Sequence, residues 1–282
     1  MNTASYTTAG RAEQGERPKR AARRGPVLLT GYAAITLLLA ATFWGKFQAQ
    51  GLPNIAHEPW VRTVLAAALL LALAGWLAIS CSINRVTNAI GVEGLAIIGL
   101  FAGAHFAVTF GSMIAGGAVY ALLGPFSAFI TGVADVGIPA LLMAALVVLI
   151  PRPGTLMLAY LAQFLLMCLF GGSFDVFQLV PVTVSIVLGE GALAIAGATT
   201  SNLLRQPGGK PPRGAVARTA LAIALAKAAA VVVQYAIYMV FYRLYYATGY
   251  IVAIALIPYF GYGGIGAALG VKLGYRLRRV AR

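Results

Sequence analysis

GPFSAFITGVADVGIPALLMAALVVLIPRPGTLMLAYLAQFLLMCLFGGSFDVFQLVPVTVSIVLGEGALAIAG, Gly124 to Gly197, consists of three long apolar runs. They are parted by a tight basic turn (Pro151-Arg152-Pro153-Gly154) and a short polar one (Gly171 to Asp175). Burying such side chains in lipid is worth ~0.8 kcal/mol per methylene, so the stretch does not stay solvated. It reads as membrane-embedded. Asp135, Gln163, Asp175, Gln178 and Glu190 remain inside it. Ionisable and amide groups at such depth are expensive and mark either a site or a packed interior.

The rest of the chain agrees. Of 282 residues, 60% are hydrophobic and 10% charged, and the mean hydropathy is +0.86, values of a polytopic membrane protein. The net charge of +14 lies mostly in two tails and two loops between apolar runs. That is the positive-inside pattern, with anionic headgroups rather than nucleic acid as the attracted partner. No cleavable signal peptide is expected, because the first apolar run is long and follows a polar segment. Cys81 and Cys168 each fall inside an apolar run, which argues against a disulfide framework or a metal site.

Three regions are expected. Residues 1–25, with Arg11, Arg17, Lys19, Arg20, Arg23 and Arg24, read as a disordered basic cytoplasmic arm. Residues 26–85 read as a transmembrane hairpin, Pro26 to Trp44 and Trp60 to Ile83, each close to the ~20 residues that span hydrocarbon. Residues 86–282 read as a core of further spans: Ala89 to Phe110, Thr131 to Ile150, Thr155 to Phe170, Val176 to Ser201, Ala215 to Phe241 and Gly249 to Val271. Ser112 to Phe129, interrupted by Gly116, Gly117, Gly124 and Pro125, is expected to be broken or re-entrant and to lie over the site. With about eight helices and a cytoplasmic N-terminus, Arg85, Arg152, the Arg205 to Arg218 cluster and the C-terminal tail all fall in the cytoplasm. The fold class is thus an all-α multi-pass protein of the cell membrane.

Candidate functional residues follow from spacing. Tyr235, Tyr238, Tyr242 and Tyr245 step by three, four and three and so share one helical face, flanked by Gln234 and Arg243, with Tyr246 and Tyr250 just beyond. An interfacial belt explains one or two such tyrosines. The excess suits a cage for a flat ring. Asp135 and Gln163 are candidates to line the same cavity, as against simple helix contacts. Glu190, ~22 Å from the outer end of its span, is too deep for a surface mouth. It forms either a structural pair with Lys227 at similar depth or part of the site. Gly99, Gly103, Ala107 and Gly111, spaced by four, place small residues on one face where another helix could approach closely. His105 reads as a buried, hydrogen-bonded histidine. No metal-ligand cluster, phosphate loop or nucleophile set is present, so no enzyme activity, metal or cofactor is expected.

From Gly91 onward the order of parts resembles the substrate-capture (S) subunits of energy-coupling-factor vitamin importers, most like the hydroxymethylpyrimidine/thiamine type. The likeness rests on Gly99, Gly103 and Ala107 in the first core helix, LLGPFSAFITGVAD (Leu122 to Asp135), IPRPG (Ile150 to Gly154), GGSFD (Gly171 to Asp175) and LGEGALA (Leu188 to Ala194). It implies a six-helix core whose outer helix ends and first loop enclose the substrate, thiamine or its pyrimidine precursor as the first guess. The substrate-binding residues read from the sequence are Asp135, Gln163, Glu190, Gln234, Tyr235, Tyr238 and Tyr242. Gly99, Gly103 and Ala107 would dock a transmembrane coupling subunit that carries two ATPase subunits. Tyr160 and Met167 stand where the pyrimidine type tends to carry carboxylates, and the glutamine that usually precedes Leu-Gly is missing near Val187. Both departures weigh against a cationic substrate.

Overall fold

A computed structural model describes residues 59–170, 178–200, 204 and 212–280. The basic arm, the span from Pro26 to Trp44, the loop to Pro59, the turn from Gly171 to Asp175 and the cluster from Arg205 to Lys210 lie outside the described residues. Every regular element among the described residues is helical. They are α1 (Pro59–Leu123), α2 (Ser127–Gly132), α3 (Ile138–Leu149), α4 (Thr155–Phe170), α5 (Leu179–Ile195), α6 (Arg213–Phe241), α7 (Thr248–Ile254) and α8 (Gly263–Val280). π-helical turns join α2 to α3 (Val133–Gly137) and α7 to α8 (Ala255–Tyr262), making each pair one rod. Two prolines account for them. Pro139 and Pro258 have no N–H for an α-helical bond, and the chain rewinds so that Ile138 bonds to the Val133 carbonyl and Gly263 to that of Pro258.

α1 is two antiparallel limbs. Gly91, at φ 78° and ψ 171°, is non-helical between residues 59–90 and 92–123. Trp60 and Val61 pack with Val240, Phe241 and Tyr246, Gly75 lies against Thr183 and Val187, and Val86 meets Gly154. Beyond the glycine, Phe106 reaches Phe170 at the far end of α4, with ring centroids 5.9 Å apart. The chain therefore doubles back at one residue, six positions later than the boundary at Arg85 implied. Of the breaks expected between Ser112 and Phe129, the one at Gly124 and Pro125 is found and the one at Gly116 and Gly117 is not. Helix continues through Gly116 and Gly117 to Leu123, and the chain turns only at Gly124 (φ 56°). Each mid-helix glycine costs about 1 kcal/mol relative to alanine. An opened backbone at that depth would forfeit hydrogen bonds that nothing in lipid replaces.

The closest packing is between α3 and α8. Gly266, Gly270 and Gly274 repeat every fourth residue, and a Cβ added to the first two would collide with the carbonyl oxygens of Gly137 and Leu141. At Gly274 it would sit 2.8 Å from the Ala145 oxygen. Small residues let the two backbones meet. Around this pair, Met143, Leu146, Val147, Leu193, Ala267 and Val271 form a core with no solvent exposure. A second cluster joins Leu65, Ala68 and Ala72 of α1 to Val180 and Val184 of α5 and Ala236 and Ile237 of α6. The limb 59–90 thus belongs to the same packed body as the later helices.

The exterior is apolar. Leu100, Leu122 and Ile195 are 72%, 84% and 91% exposed, far beyond what an aqueous surface carries in bulk. Trp60–Leu149, Gly214–Phe241 and Thr248–Val280 are long and apolar enough to cross a membrane. An all-helical structure with three such helices is compatible with a helical membrane protein. Arg152 and Arg278 line one groove of about 470 Å³ with Glu93.

Substitution separates the glycines that pack from those that do not. Gly270→Ala should destabilise by about 1–3 kcal/mol, as overpacking against backbone does, and lower the melting temperature in detergent. Gly103→Ala meets nothing within 4 Å and should stay within ~0.5 kcal/mol of wild type.

Candidate functional site

α6 supplies the spine of the candidate site. Lys227, Val231, Gln234 and Tyr238 follow one another by four, three and four, so they share a face, with Tyr235 beside them. Tyr235 is the hub of an aromatic assembly: its ring meets Tyr246 at 4.8 Å, Tyr238 at 5.9 Å and Tyr250 at 6.1 Å, all edge-to-face. Tyr238 meets Tyr242 at 5.6 Å, also edge-to-face, and accepts a 2.6 Å hydrogen bond from the Gln234 amide. Tyr246 and Tyr250 stack at 5.6 Å with 13° between planes. Edge-to-face and offset pairs at these separations are the favoured ring geometries.

The local backbone delivers these rings. α6 closes with Tyr242 and Leu244 both donating to the Tyr238 carbonyl, at 3.1 and 3.2 Å. Arg243 between them is left-handed, at φ 56°, which is uncommon for a residue with a side chain. The chain re-enters helix at Thr248, which carries Tyr250 back over Tyr235. The Tyr250 hydroxyl donates to the Pro125 carbonyl at 2.7 Å, bridging the tyrosine end to the turn after α1. Tyr242 and Tyr245 are exposed; Tyr235, Tyr238, Tyr246 and Tyr250 are half-buried.

Deeper in the bundle lies a polar seam. The Lys227 ammonium sits 5.8 Å above the centre of the Tyr160 ring, and His105 meets the same ring edge-on at 6.0 Å. His105 is 5% exposed, and its Nδ1 and the Thr109 hydroxyl one turn away are buried without a hydrogen-bond partner. Gln163, half-buried, follows Tyr160 by three positions on α4. Lys227 and Tyr160 also border a cleft of about 10 Å³ with Ser185, Gly189 and Ile223, room for about one water. The two π-helical turns pack on one another: a Cβ on Gly132 would stand 2.8 Å from Pro258. They bring Asp135 within electrostatic reach of Tyr259, which also senses Tyr238. π turns of this kind recur at functional sites.

The predicted residues divide accordingly. Gln234, Tyr235, Tyr238 and Tyr242 come together; Asp135 lies in the π turn that packs on the one bearing Tyr259; Gln163 stands on the Tyr160 face. Glu190 does not join them. Its Oε1 accepts the backbone N–H groups of Leu156 and Met157 at 2.8 and 3.0 Å, capping α4 from outside and complementing its dipole. The anticipated Glu190–Lys227 pair is absent among the described residues, because the carboxylate is taken up by helix N–H groups and the ammonium by the Tyr160 face. His105, read as hydrogen-bonded, is unpartnered at Nδ1. Gly99, Gly103 and Gly111 face open space and Ala107 is exposed, so this stripe packs against nothing in the described chain. Tyr259 was missed; only the π turn, invisible before the fold, turns it inward. Among the described residues no three His, Cys, Asp or Glu side chains are grouped to hold a metal.

Glu190→Ala should lower stability by about 1.5–3 kcal/mol, the range for hydrogen bonds to a charged group, seen as an earlier melt in detergent. Small-molecule binding at the tyrosine end should be unchanged; its loss would return Glu190 to the site. No family model, curated protein or solved structure matches this chain.

Proposed function

We propose that the protein is a membrane-embedded capture subunit for a small ring-bearing nutrient, of the kind that works with a separate ATP-driven coupling module. The observation that carries this reading is the polar seam from Lys227 to the tyrosine assembly, inside a bundle whose outer surface is apolar. Polar and ionisable groups at this depth persist where they serve a ligand or a pathway, and aromatic rings with a few convergent polar groups are the ordinary lining of small-molecule sites. The open stripe of Gly99, Gly103 and Ala107 supports a docking face for a transmembrane partner. Positive-inside bias puts the Arg152 end in the cytoplasm, with both termini, and the tyrosines outside. The substrate then enters from outside between the turn at Gly124 and the tyrosines, in a multi-pass protein of the cell membrane.

The reading is tested on purified full-length protein in nanodiscs. Tyr235→Ala removes the hub ring and should weaken retention of a bound small molecule by roughly tenfold to a hundredfold, since an aromatic contact is worth about 1–3 kcal/mol. Gly103→Leu should abolish co-purification of a coupling subunit and leave small-molecule binding intact. A wild-type protein that retains no small molecule and brings down no partner would favour a scaffold role, with the tyrosines as interfacial belt.

A further inference from the structure

We propose that the ligand of this seam carries a carboxylate or a comparable oxyanion on its ring system, and that Lys227 receives that group with His105 and Thr109 as neighbouring donors. The inference rests on the capture reading above and adds the charge of what is captured.

Lys227 is the central residue of the 29-residue α6, with about 21 Å of helix to either end. Its stem cannot carry the ammonium to either interface, as lysines nearer a helix terminus do. No carboxylate among the described residues pairs with it. Its recorded partner is the Tyr160 face at 5.8 Å, an attraction that offsets part of the desolvation but supplies no acceptor for three N–H bonds. Glu190, the carboxylate anticipated to neutralise it, is held instead by the start of α4.

Unmet hydrogen-bonding capacity lies around the same ring. His105 reaches the edge of Tyr160 at 6.0 Å, is 5% exposed and leaves Nδ1 unpartnered, as Thr109 leaves its hydroxyl. Buried donors without acceptors are costly, and an oxyanion placed here would accept from the ammonium, from the imidazole N–H in the tautomer that protonates Nδ1, and from the hydroxyl. A cationic group would instead face Lys227 as a like charge and leave the three N–H donors of its ammonium without an acceptor. The tyrosine assembly lies about two turns further along the same α6 face, which places a ring on the outer side of the anionic group.

Purified full-length wild type, Lys227→Met, Lys227→Gln and Lys227→Arg, each confirmed as monodisperse, are incubated with the low-molecular-weight fraction of yeast extract and washed. Retained compounds are then identified by mass spectrometry. Wild type should retain a compound bearing a carboxylate or phosphate. Lys227→Met and Lys227→Gln should lose it by on the order of a hundredfold, as truncation of one partner of a buried charge pair does, and Lys227→Arg should keep most of it. A retained compound that is neutral or cationic, or one held equally by the Met and Gln variants, overturns the anionic assignment and leaves the capture reading standing. A wild type that retains nothing above an unrelated membrane protein overturns both.

Discussion

The close approach of two backbones, that of α3 and that of α8, is the constraint on which the remaining structure depends. Gly266, Gly270 and Gly274 leave no side chain between the helices, and the carbonyls of Gly137, Leu141 and Ala145 occupy the space. In lipid, helices gain little from hiding apolar surface against one another, so association relies on van der Waals contact at short range. A three-glycine ladder supplies that contact over about two turns. It also fixes the register of α8 against α3 to a single residue, because a one-position slip would bring Ala267 or Val271 onto a carbonyl.

That register places both π turns. Each is continuous with one member of the glycine-packed pair, so the inserted turns at Val133–Gly137 and Ala255–Tyr262 are held opposite each other. The two turns pack on one another, Gly132 against Pro258, because their supporting helices cannot slide. α6 completes the arrangement from the other side, where its Lys227 stem lies 3.8 Å from the place a Gly263 Cβ would occupy. The seam is therefore framed by rigid elements, with the more adaptable tyrosine contacts confined to one end.

Much of this was legible in the sequence, and the exceptions share a physical cause. The apolar runs and the punctuating PRPG turn located the helices from Thr131 onward, because hydropathy and proline act locally. The face shared by Gln234, Tyr235, Tyr238 and Tyr242 followed from helical spacing alone. Spacing did not distinguish the stripe of Gly99 and Gly103, which faces open space, from that of Gly266 and Gly270, which is pressed against a carbonyl; the difference lies in Leu141, far away in the chain. The hydrogen bonds of Glu190 were not legible for a related reason. Its partners are the amides of Leu156 and Met157, and backbone groups have no signature in the amino-acid alphabet. At Gly116 and Gly117 the glycine pair read as a break, but the bilayer's demand for internal hydrogen bonds outweighed propensity.

Gly91 reverses the chain within one residue, and a Cβ there would touch nothing within 4 Å. Its conformation, not its size, is what the position requires. A reversal without a loop has no slack to absorb a change in length. One inserted residue would rotate the limb 92–123 by about 100°, sweeping Gly99 and Gly103 off their outward bearing and His105 away from Tyr160 together. The outward-facing stripe and the inward-facing imidazole are two hands of one clock, set at Gly91.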